Sequence, residues 1–555
     1  MISILISGIS GDGIQYISKK ILRFISYNIN KKYYIYTYIE FSSDIKNPLL
    51  KKDNLSNFFI IITKNKNNYI YNNIKINLLI VTNLISYKIY KKFCNKKSII
   101  ILFKNKHFIK NINKDNIYYF DSVKNSINFF IFKFIKIKIY LRNYFIFNFF
   151  IKLFNFKLKN ILKYIKKNKY YKIIKKILIL GNKIIIINKK FIIHKKYNIN
   201  IKILNGNNYL VKGIIDASKY LNKNIFFSYY PISPANSIYK YFNEKNIITF
   251  KSEDEIATIY NIIGSSYMGN ISITSTSGPG MSLIQEGISL AIVLELPLLI
   301  IDIQRCGPST GIPTLFEQSD LLLSLYGRHG ESILPVYSVK NPIDCYYIGY
   351  KSIILSLKYS TPIIILSDFN IANNYCRFFN KNIYKNNINL NKIYYKNFFI
   401  KKKRIKNKKN LCLSGLEQNY KTNQISYNKK NHIKNIIYRE KKINKIKESY
   451  NFSIKSKKKY IIIITWGSIY QIIKSKIIIY NKKYNNIITY LNLNLIYPLN
   501  KKIINKIKKF KLLLIIENNN KQLYNIIYHK NKKFINFYNI INNFNKKINL
   551  LFKNL

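Results

Sequence analysis

The sequence predicts an α/β fold with several parallel-sheet domains. Short apolar runs bounded by polar turns, such as LPLLIID at residues 296–302 and TPIIIL at residues 361–366, are typical of parallel strands buried on both faces. Amphipathic stretches such as Glu255–Tyr267 alternate with these runs, and this alternation indicates parallel sheets covered by helices. The length of 555 residues allows about three or four domains of roughly 150 residues each.

The first predicted elements are a strand, a glycine turn and a helix. Residues 2–6 are mainly apolar, glycines follow at positions 8, 11 and 13, and a helical pattern begins near Ile14. Such a turn either packs the helix tightly against the strand or places the helix N-terminus beside a phosphate group, and the sequence leaves both possibilities open. Residues 77–81 predict another buried strand. The opening residues therefore indicate a first strand and not a signal peptide.

The same alternation continues to the end of the chain. Residues 225–227 predict a strand in the middle, and residues 460–464 and 511–516 predict strands of a last domain. Segments near 155–200 and 385–458 are rich in lysine and asparagine, and we place domain borders inside them. One face of the helix at Glu255–Tyr267 carries four apolar side chains that we expect to face the core: Ile256, Ile259, Tyr260 and Ile263.

The charge of the chain is strongly positive, with 94 Lys and Arg against 23 Asp and Glu and a formal net charge of +71. Such a balance is typical of a nucleic-acid-binding protein, which is the alternative class of function. The lysines, however, are spread among Asn and Ile residues that share adenine- and thymine-rich codons. No lysine occurs between Lys251 and Lys340. We therefore interpret the charge as compositional background and expect no nucleic-acid partner.

Cysteine and histidine spacing predicts no metal site in this chain. The five cysteines form no CxxC pair, and the five histidines show no ligand spacing. A disulfide framework is equally unsupported, so we expect a reducing, cytoplasmic location. No run reaches the roughly 18 apolar residues of a membrane span, because lysines and arginines interrupt residues 129–154, and we expect no membrane partner.

Arg305 follows one of the predicted buried strands. Ligands of open parallel sheets bind beyond the carboxyl ends of the strands, so Arg305 is a candidate ligand-binding residue. Its planar guanidinium suits a carboxylate held by two hydrogen bonds. The following GPSTG segment offers close backbone approach and the hydroxyl groups of Ser309 and Thr310. A surface ion pair is the alternative role for Arg305, and both stay open.

Three further segments carry polar groups beside turns. In YYPISP at residues 229–234, two prolines restrict the backbone around Ser233. Residues 253–255 are three acids that open a helix, where capping alone explains most of the pattern. The third segment, TSTSGPG at residues 274–280, is a glycine loop before a helix.

Together and in this order, these segments resemble the alpha subunits of 2-oxoacid:ferredoxin oxidoreductases, above all the 2-oxoglutarate type with a fused gamma domain. The family motifs YPITPS, E-x-E-I-A, T-S-G-P-G, R-x-G-P-S-T-G-x-P-T, E-Q-x-D-L and G-x-H-G-E are matched at residues 230–234, 253–257, 276–280, 305–314, 317–321 and 327–331. Looser matches lie at residues 8–15, 40–45, 465–468, 497–498 and 517–523. The resemblance therefore covers most of the chain.

The resemblance implies four regions. They are a gamma-type domain at 1–190, a thiamine pyrimidine-binding (alpha) domain at 196–385, a basic linker at 386–457 and a transketolase C-terminal-like domain at 458–555. It also implies that Glu255 hydrogen-bonds the aminopyrimidine ring of thiamine diphosphate and assists proton transfer there. Glu253 and Asp254 would cap the helix instead. The other implied cofactor-binding residues are Tyr230, Pro231, Ser277 and Gly278, and the implied substrate-binding residues are Ser233, Arg305, Ser309 and Thr310.

The resemblance further implies a beta subunit as partner. The Gly11-Asp12-Gly13 turn has the letters of the motif that binds the metal and diphosphate in thiamine enzymes, but Asn28 and Asn30 come too early to complete it. The diphosphate half of the site, Mg²⁺ and a [4Fe–4S] cluster are therefore expected in the beta subunit. The implied reaction converts a 2-oxoacid and coenzyme A to acyl-CoA and CO₂ while reducing ferredoxin. We expect 2-oxoglutarate, with pyruvate or a branched-chain 2-oxoacid as alternatives, and a heterodimer or heterotetramer.

Overall fold

The structure of the chain is a computed structural model that describes residues 1–30, 32–40, 55–64, 75–102, 117–119, 135–165, 171–184, 191, 203–312, 314–377, 415–419, 424–446, 452–456, 460–483, 487–528 and 534–538. The chain forms two compact units. The first unit is Met1–Leu204 with Asn374–Phe379, and the second is Asn205–Asn373 with Asn380–Leu555. The domain borders predicted from the sequence stay predictions.

The helices and strands alternate along most of the chain. Up to residue 205 they are β1 Ile2–Ile9, α1 Ile14–Asn28, β2 Tyr34–Glu40, β3 Leu55–Thr63, β4 Ile76–Val81, α2 Leu84–Tyr90, β5 Cys94–Leu102, β6 Ile117–Tyr119, α3 Ile135–Leu153, α4 Leu158–Ile165, α5 Tyr171–Ile184 and β7 Ile203–Asn205. From there to residue 377 they are α6 Gly206–Leu221, β8 Ile225–Tyr229, α7 Asn236–Asn243, β9 Ile248–Lys251, α8 Glu255–Tyr267, β10 Ile271–Thr276, α9 Gly278–Leu283, α10 Gln285–Val293, β11 Leu298–Gln304, α11 Leu321–Tyr326, β12 Val336–Ser338, α12 Pro342–Tyr359, β13 Ile363–Asp368, α13 Phe369–Asn373 and β14 Tyr375–Arg377. The remaining elements are α14 Lys429–Asn444, β15 Ile461–Trp466, α15 Ile469–Lys483, β16 Ile488–Leu493, β17 Leu495–Tyr497, α16 Lys501–Ile507, β18 Leu512–Glu517, α17 Gln522–Tyr528 and β19 Phe534–Tyr538.

The first unit contains an eight-stranded sheet in the order β6-β5-β4-β1-β3-β2-β14-β7. The pairs β1/β4, β4/β5 and β5/β6 are parallel, whereas β1/β3, β2/β3 and β2/β14 are antiparallel. The sequence predicted parallel sheets, and this sheet differs because β3 pairs antiparallel with both of its neighbours, β1 and β2. The α/β class itself is confirmed.

The glycine turn after β1 is stabilised by internal contacts. The Asp12 carboxylate accepts hydrogen bonds from the Thr82 hydroxyl at 2.6 Å and from the backbone N–H of Ile9 at 3.3 Å. A Cβ added at Gly8 would lie 2.8 Å from Ile14 Cγ1, so the helix packs tightly on the turn. These contacts explain the glycines and the aspartate by tight packing of the helix on the turn, which is one of the two roles left open by the sequence.

The second unit contains a seven-stranded sheet in the order β17-β12-β13-β11-β10-β8-β9 and a four-stranded parallel sheet in the order β16-β15-β18-β19. In the larger sheet all neighbouring pairs are parallel except β12/β17. Strands β10, β11 and β13 are buried along their whole length, which confirms the prediction made for the apolar runs that form β11 and β13. Because β8, β10 and β11 are parallel neighbours, their carboxyl ends lie at the same edge of the sheet.

The predicted helix at Glu255–Tyr267 is confirmed as α8, but its predicted buried face is partly wrong. Ile259 and Ile263 are buried, whereas Ile256 and Tyr260 are 44% and 42% exposed. The helix carries apolar residues on more than one side, and Ile262 is buried as well. Its contacts with the sheet determine which of these sides is buried. No helix in the described part of the chain is long and apolar enough to span a membrane.

Candidate active site

Arg305 lies directly beyond the carboxyl end of β11, which is a central strand of the seven-stranded sheet. Its side chain is only 7% exposed, and its Nη1 donates a 3.1 Å hydrogen bond to the backbone carbonyl oxygen of Ser233. Its Nε has no hydrogen-bond partner among the described residues. The guanidinium is thus held from one side and keeps an N–H donor for another acceptor.

Ser233 belongs to the loop that follows β8. Because β8 and β11 flank β10 on either side, the loops after them lie at the same edge of the sheet. Asn207 Nδ2 donates to the carbonyl oxygen of Pro234 at 3.3 Å and to Ser237 Oγ at 2.8 Å, which fixes this loop on α6. The structure therefore brings together the two residues predicted to bind a carboxylate, although they meet through the Ser233 carbonyl and not through its hydroxyl.

Two predicted cofactor-binding residues lie on the outer part of the same loop. Tyr230 is 39% exposed and Pro231 is exposed as well. Both precede Ser233 by only a few residues and are open to a ligand or to another chain. Their role in binding a cofactor stays a prediction.

Glu255 is the first residue of α8 and is buried, with 9% of its surface exposed. Burial raises the pKa of its carboxyl group, and the neighbouring Asp254 adds to the rise while Arg305 opposes it. The Asp254 side chain accepts a 2.6 Å hydrogen bond from the backbone N–H of Ala257, so it caps the helix as predicted. Glu253 is exposed. Of the three acids, only Glu255 is placed to act inside a site.

The glycine segment after β10 packs directly against Glu255. A Cβ added at Gly280 would lie 2.6 Å from Glu255 Oε1, and one added at Gly278 would lie 2.9 Å from Asp320 Oδ1. Ser277 is fully buried, and its hydroxyl has no hydrogen-bond partner among the described residues. Glycine is therefore required here by close approach of carboxyl groups, which gives a physical reason for the TSGPG pattern.

Gly280→Ala is expected to destabilise this part of the structure. The added methyl group forces Glu255 and the still nearer Thr276 hydroxyl to move, and overpacking of this kind costs about 1 to 3 kcal/mol. Gly264→Ala in α8 is the matched control, because nothing lies within 4 Å of its added Cβ. Thermal unfolding should show a lower midpoint for Gly280→Ala and an unchanged or slightly higher one for Gly264→Ala. Equal midpoints would contradict the packing of Glu255 against the glycine segment.

Ser309 and Thr310 lie in an exposed loop after Arg305. The loop is closed by the backbone hydrogen bonds of Ile312 N to Cys306 O at 3.0 Å and of Cys306 N to Leu315 O at 3.1 Å. Among the described residues, no hydrogen bond joins either hydroxyl to Arg305. The structure therefore places the two residues near the strand end without bringing their side chains into the Arg305 contact, and their predicted substrate binding stays untested.

Two buried acids beside Arg305 were not among the predicted site residues. Asp302, on β11, is completely buried, and Asp320, just before α11, is 8% exposed. Burial lowers the pKa of Arg305, while Asp320, Asp302 and Glu255 oppose this shift. The sequence did contain a signal, because Asp302 interrupts an otherwise apolar strand and an acid there must have a charged or hydrogen-bonded neighbour.

The C-terminal motifs hold the segment that carries Asp320. Gln318 Nε2 donates to the carbonyl oxygen of Trp466 at 2.8 Å, and Gln318 Oε1 accepts from the backbone N–H of Asn518 at 2.8 Å. Asn519 Nδ2 donates to the Gln318 carbonyl oxygen at 2.6 Å. Gln318 is fully buried. The sequence matches at residues 465–468 and 517–523 therefore have a positioning role in the second unit.

The residues at this sheet edge fit the ring of thiamine diphosphate. A buried carboxyl group with a raised pKa suits a hydrogen bond with a ring nitrogen. In the described part of the chain, no group of three or more His, Cys, Asp or Glu side chains could hold a metal ion. Glu255 fits the ring end of the cofactor.

A buried arginine and a buried acid at the carboxyl ends of a parallel sheet define a ligand-binding α/β domain. Residues 217–445 match the family model described as pyruvate flavodoxin/ferredoxin oxidoreductase, thiamine diphosphate-binding. This match confirms the resemblance seen in the motifs for the middle segment of the chain.

Two curated relatives share this part of the chain. The chain is 44% identical over 173 residues to the 2-oxoglutarate oxidoreductase subunit KorA of Mycobacterium tuberculosis, which is 31% of this chain and 26% of that protein. It is 37% identical over 174 residues to the 2-oxoglutarate synthase subunit KorA of Archaeoglobus fulgidus, which is 31% of this chain and 49% of that protein. The matched segments thus cover about a quarter to a half of these relatives.

A solved structure resembles nearly the whole chain. The 2-oxoglutarate:ferredoxin oxidoreductase of Magnetococcus marinus, determined with 2-oxoglutarate, coenzyme A and succinyl-CoA bound, has a TM-score of 0.75 and 22% sequence identity. The alignment covers 97% of this chain and 96% of that one. At this level of identity the likeness shows the fold, and it confirms the α/β architecture.

Proposed function

We propose that the chain is the alpha subunit of a thiamine diphosphate-dependent 2-oxoacid:ferredoxin oxidoreductase. The reaction joins a 2-oxoacid and coenzyme A to give acyl-CoA and CO₂, and two electrons pass singly to ferredoxin. The observation that carries this proposal is the pairing of Arg305 with Ser233 beside Glu255 at one sheet edge. The names of the relatives support 2-oxoglutarate as substrate, with pyruvate and branched-chain 2-oxoacids as alternatives.

Arg305 orients the 2-oxoacid in this proposal. Its Nη1 is held by the Ser233 carbonyl oxygen, and its Nε is left as a charged N–H donor for the substrate carboxylate. Because the guanidinium is 7% exposed, the pair would form away from bulk water, where a charge-assisted hydrogen bond is stronger. The Ser233 hydroxyl, and those of Ser309 and Thr310, are proposed to add contacts once substrate is bound.

Glu255 holds and moves a proton at the cofactor ring in this proposal. Burial raises the pKa of its carboxyl group, which favours the protonated form that can donate to a ring nitrogen. Tyr230, Pro231, Ser277 and Gly278 would shape the space around the ring. Thiamine diphosphate, when bound, would supply the electron sink that decarboxylation requires.

A beta subunit is proposed to complete the site. It would bind the diphosphate through Mg²⁺, carry the [4Fe–4S] cluster and transfer electrons to ferredoxin, in a heterodimer or heterotetramer. The chain's own groups supply a cation for the substrate and an acid for the ring, and the described residues offer no metal-binding cluster. The proposal therefore assigns half of an active site to this chain.

The test is to assay this chain alone, a beta-type chain with a G-D-G motif and four clustered cysteines alone, and the two together. Coenzyme A-dependent CO₂ release with reduction of ferredoxin is expected from the mixture only, with 2-oxoglutarate preferred over pyruvate and branched-chain 2-oxoacids. Omission of thiamine diphosphate is the control and should abolish the activity. Decarboxylation by this chain alone would contradict the shared site.

A further inference from the structure

Asp302 is an acid in the interior of a parallel sheet. It lies on β11, where its backbone is in register with Thr276 on one side and Leu366 on the other. None of its surface is exposed, and neither carboxyl oxygen has a hydrogen-bond partner among the described residues. An ionised carboxylate in such a place is strongly destabilised, so the group must either gain a donor or carry a proton.

Asp320 is the group that Asp302 faces. The backbone N–H of Asp320 donates a 3.2 Å hydrogen bond to the side chain of Gln304, which lies two residues after Asp302 on β11, and this contact brings the two carboxyl groups together. Asp320 Oδ1 accepts from Ser319 Oγ at 3.3 Å, and its Oδ2 has no partner, which leaves three unpaired oxygen atoms in the two side chains together. Two ionised carboxylates cannot hydrogen-bond to each other, whereas one shared proton supplies the missing donor.

The charged groups around this pair decide how many protons it holds. Arg305 faces both carboxyl groups and favours their ionised forms, whereas Glu317 disfavours ionisation of Asp320. Burial raises the pKa of Asp302 well above its usual range, and the pKa of Asp320 is raised to about 6 by the same cause. Because the rise is larger at Asp302, which is also the more deeply buried of the two, this arrangement favours a proton on Asp302 that is donated to Asp320.

One proton also determines what Arg305 can bind. With two ionised carboxylates beside it, the guanidinium would be fully paired inside the protein and would attract a substrate carboxylate weakly. With one shared proton, Asp320 Oδ2 is engaged by the Asp302 hydroxyl, and the Arg305 Nε remains without an internal partner, as observed. The carboxyl pair then holds Arg305 in place without accepting a hydrogen bond from its Nε.

We propose that Asp302 and Asp320 form a carboxyl pair with one shared proton that positions Arg305 and keeps its Nε available for the substrate carboxylate. Both acids are positioning residues, since they act through Arg305. The role of the pair in substrate binding rests on the proposed function, whereas the shared proton does not.

The shared proton is tested without substrate or cofactor. Infrared difference spectroscopy of the full chain at neutral pH is expected to contain the carbonyl stretch of a protonated carboxyl group, which Asp302→Asn removes. Asp368→Asn is the matched control. Asp368 is equally buried at the end of the adjacent β13, but its carboxylate accepts backbone hydrogen bonds from Ile371 at 3.0 Å and Ser468 at 3.3 Å. The proposal would be overturned if the band persists in both variants, or if only Asp368→Asn removes it.

The positioning role is tested in the two-chain enzyme with a pair of variants at one site. Asp302→Asn keeps an N–H donor for Asp320 and should leave the 2-oxoacid KM within about threefold of the wild type. Asp302→Leu keeps the branched shape of the side chain, although it is bulkier, and has no donor, so Asp320 Oδ2 is released to pair with Arg305 and KM should rise at least about tenfold. The apparent affinity for thiamine diphosphate should be the same in both.

The outcomes separate this inference from the proposed function. A protonated-carboxyl band in a protein that turns over no 2-oxoacid would refute the proposed function and leave the carboxyl pair intact. Turnover of 2-oxoacid with equal KM values for Asp302→Asn and Asp302→Leu would refute the positioning role and leave the proposed function intact. A purely structural role of Asp302 would change thermal stability and both ligand affinities together, which also contradicts the inference.

Discussion

Glu255→Gln is expected to slow catalysis by the assembled enzyme by about 10²- to 10⁴-fold, the range typical of a lost general acid or base. Glutamine keeps the shape of the side chain and can still form hydrogen bonds, but it cannot accept or release a proton at the ring. The measurement is hydrogen–deuterium exchange at the thiazolium carbon of bound thiamine diphosphate, which reports proton transfer before any 2-oxoacid is added.

The control for this variant is Glu253→Gln. Glu253 lies two residues earlier, is exposed and should leave the exchange rate unchanged. Burial raises the pKa of Glu255, so the wild-type exchange rate should titrate at a higher pH than an exposed glutamate would, and the variant should lose this titration. A normal exchange rate in Glu255→Gln would contradict the role given to this acid.

Arg305→Lys is expected to impair use of the substrate while leaving cofactor binding intact. Lysine keeps the positive charge but loses the planar group that can reach the Ser233 carbonyl oxygen and a substrate carboxylate together. The loss should be about 2 to 4 kcal/mol of transition-state binding, or roughly 30- to 1000-fold in kcat/KM for the 2-oxoacid. Steady-state kinetics with varied 2-oxoacid, and separately with varied thiamine diphosphate, distinguish the two effects.

Arg328→Lys is the comparison for a buried arginine with a structural role. Arg328 is 9% exposed and donates to the carbonyl oxygens of Ser324 at 2.9 Å and Leu325 at 3.0 Å. Its replacement should lower thermal stability without changing the KM for the 2-oxoacid. Weaker thiamine diphosphate binding by Arg305→Lys, with the 2-oxoacid KM unchanged, would show that Arg305 has been assigned to the wrong ligand.

The core of the site could be predicted from the sequence because few topologies are possible for parallel strands. Once residues 225–227 and 296–302 are buried parallel strands, the groups that follow them come to the same sheet edge, and Ser233 and Arg305 do meet there. Residues 274–280 were predicted as a glycine loop, which is wrong, because Thr276 ends β10 and Gly278 already begins α9. The reason for the glycines at 278 and 280 appeared only with the structure. Both stand where carboxyl groups of other segments approach the backbone.

Other features could not be predicted because they depend on long-range contacts. Local spacing cannot determine which side of α8 meets the sheet, since isoleucine is common throughout the chain, and Ile256 was wrongly assigned to the core. The antiparallel pairing of β2 with β3 depends on which strands become neighbours in the sheet, and strand periodicity does not encode this. Asp302 and Asp320 are far enough apart in sequence that neither indicates the other until β11 and α11 are packed together.

Packing explains the absence of lysine from two strands of the lysine-free window. Strands β10 and β11 are buried on both faces, and a lysine on them would be an unpaired charge in the sheet. The cations that the window does contain are Arg305 and Arg328, and each is buried with hydrogen-bond acceptors. The positive background of the chain is therefore absent where a specific charge is required.

The division of the active site between two chains is tested most directly by an experimental structure of this chain with its beta-type partner, thiamine diphosphate and 2-oxoglutarate. We predict that a carboxyl oxygen of Glu255 lies within hydrogen-bonding distance, about 2.6 to 3.2 Å, of a nitrogen of the aminopyrimidine ring. We also predict that Arg305 contacts a carboxylate of the 2-oxoacid and that the diphosphate lies on the partner. A cofactor bound elsewhere, or a Glu255 that faces away from the ring, would contradict the proposed function.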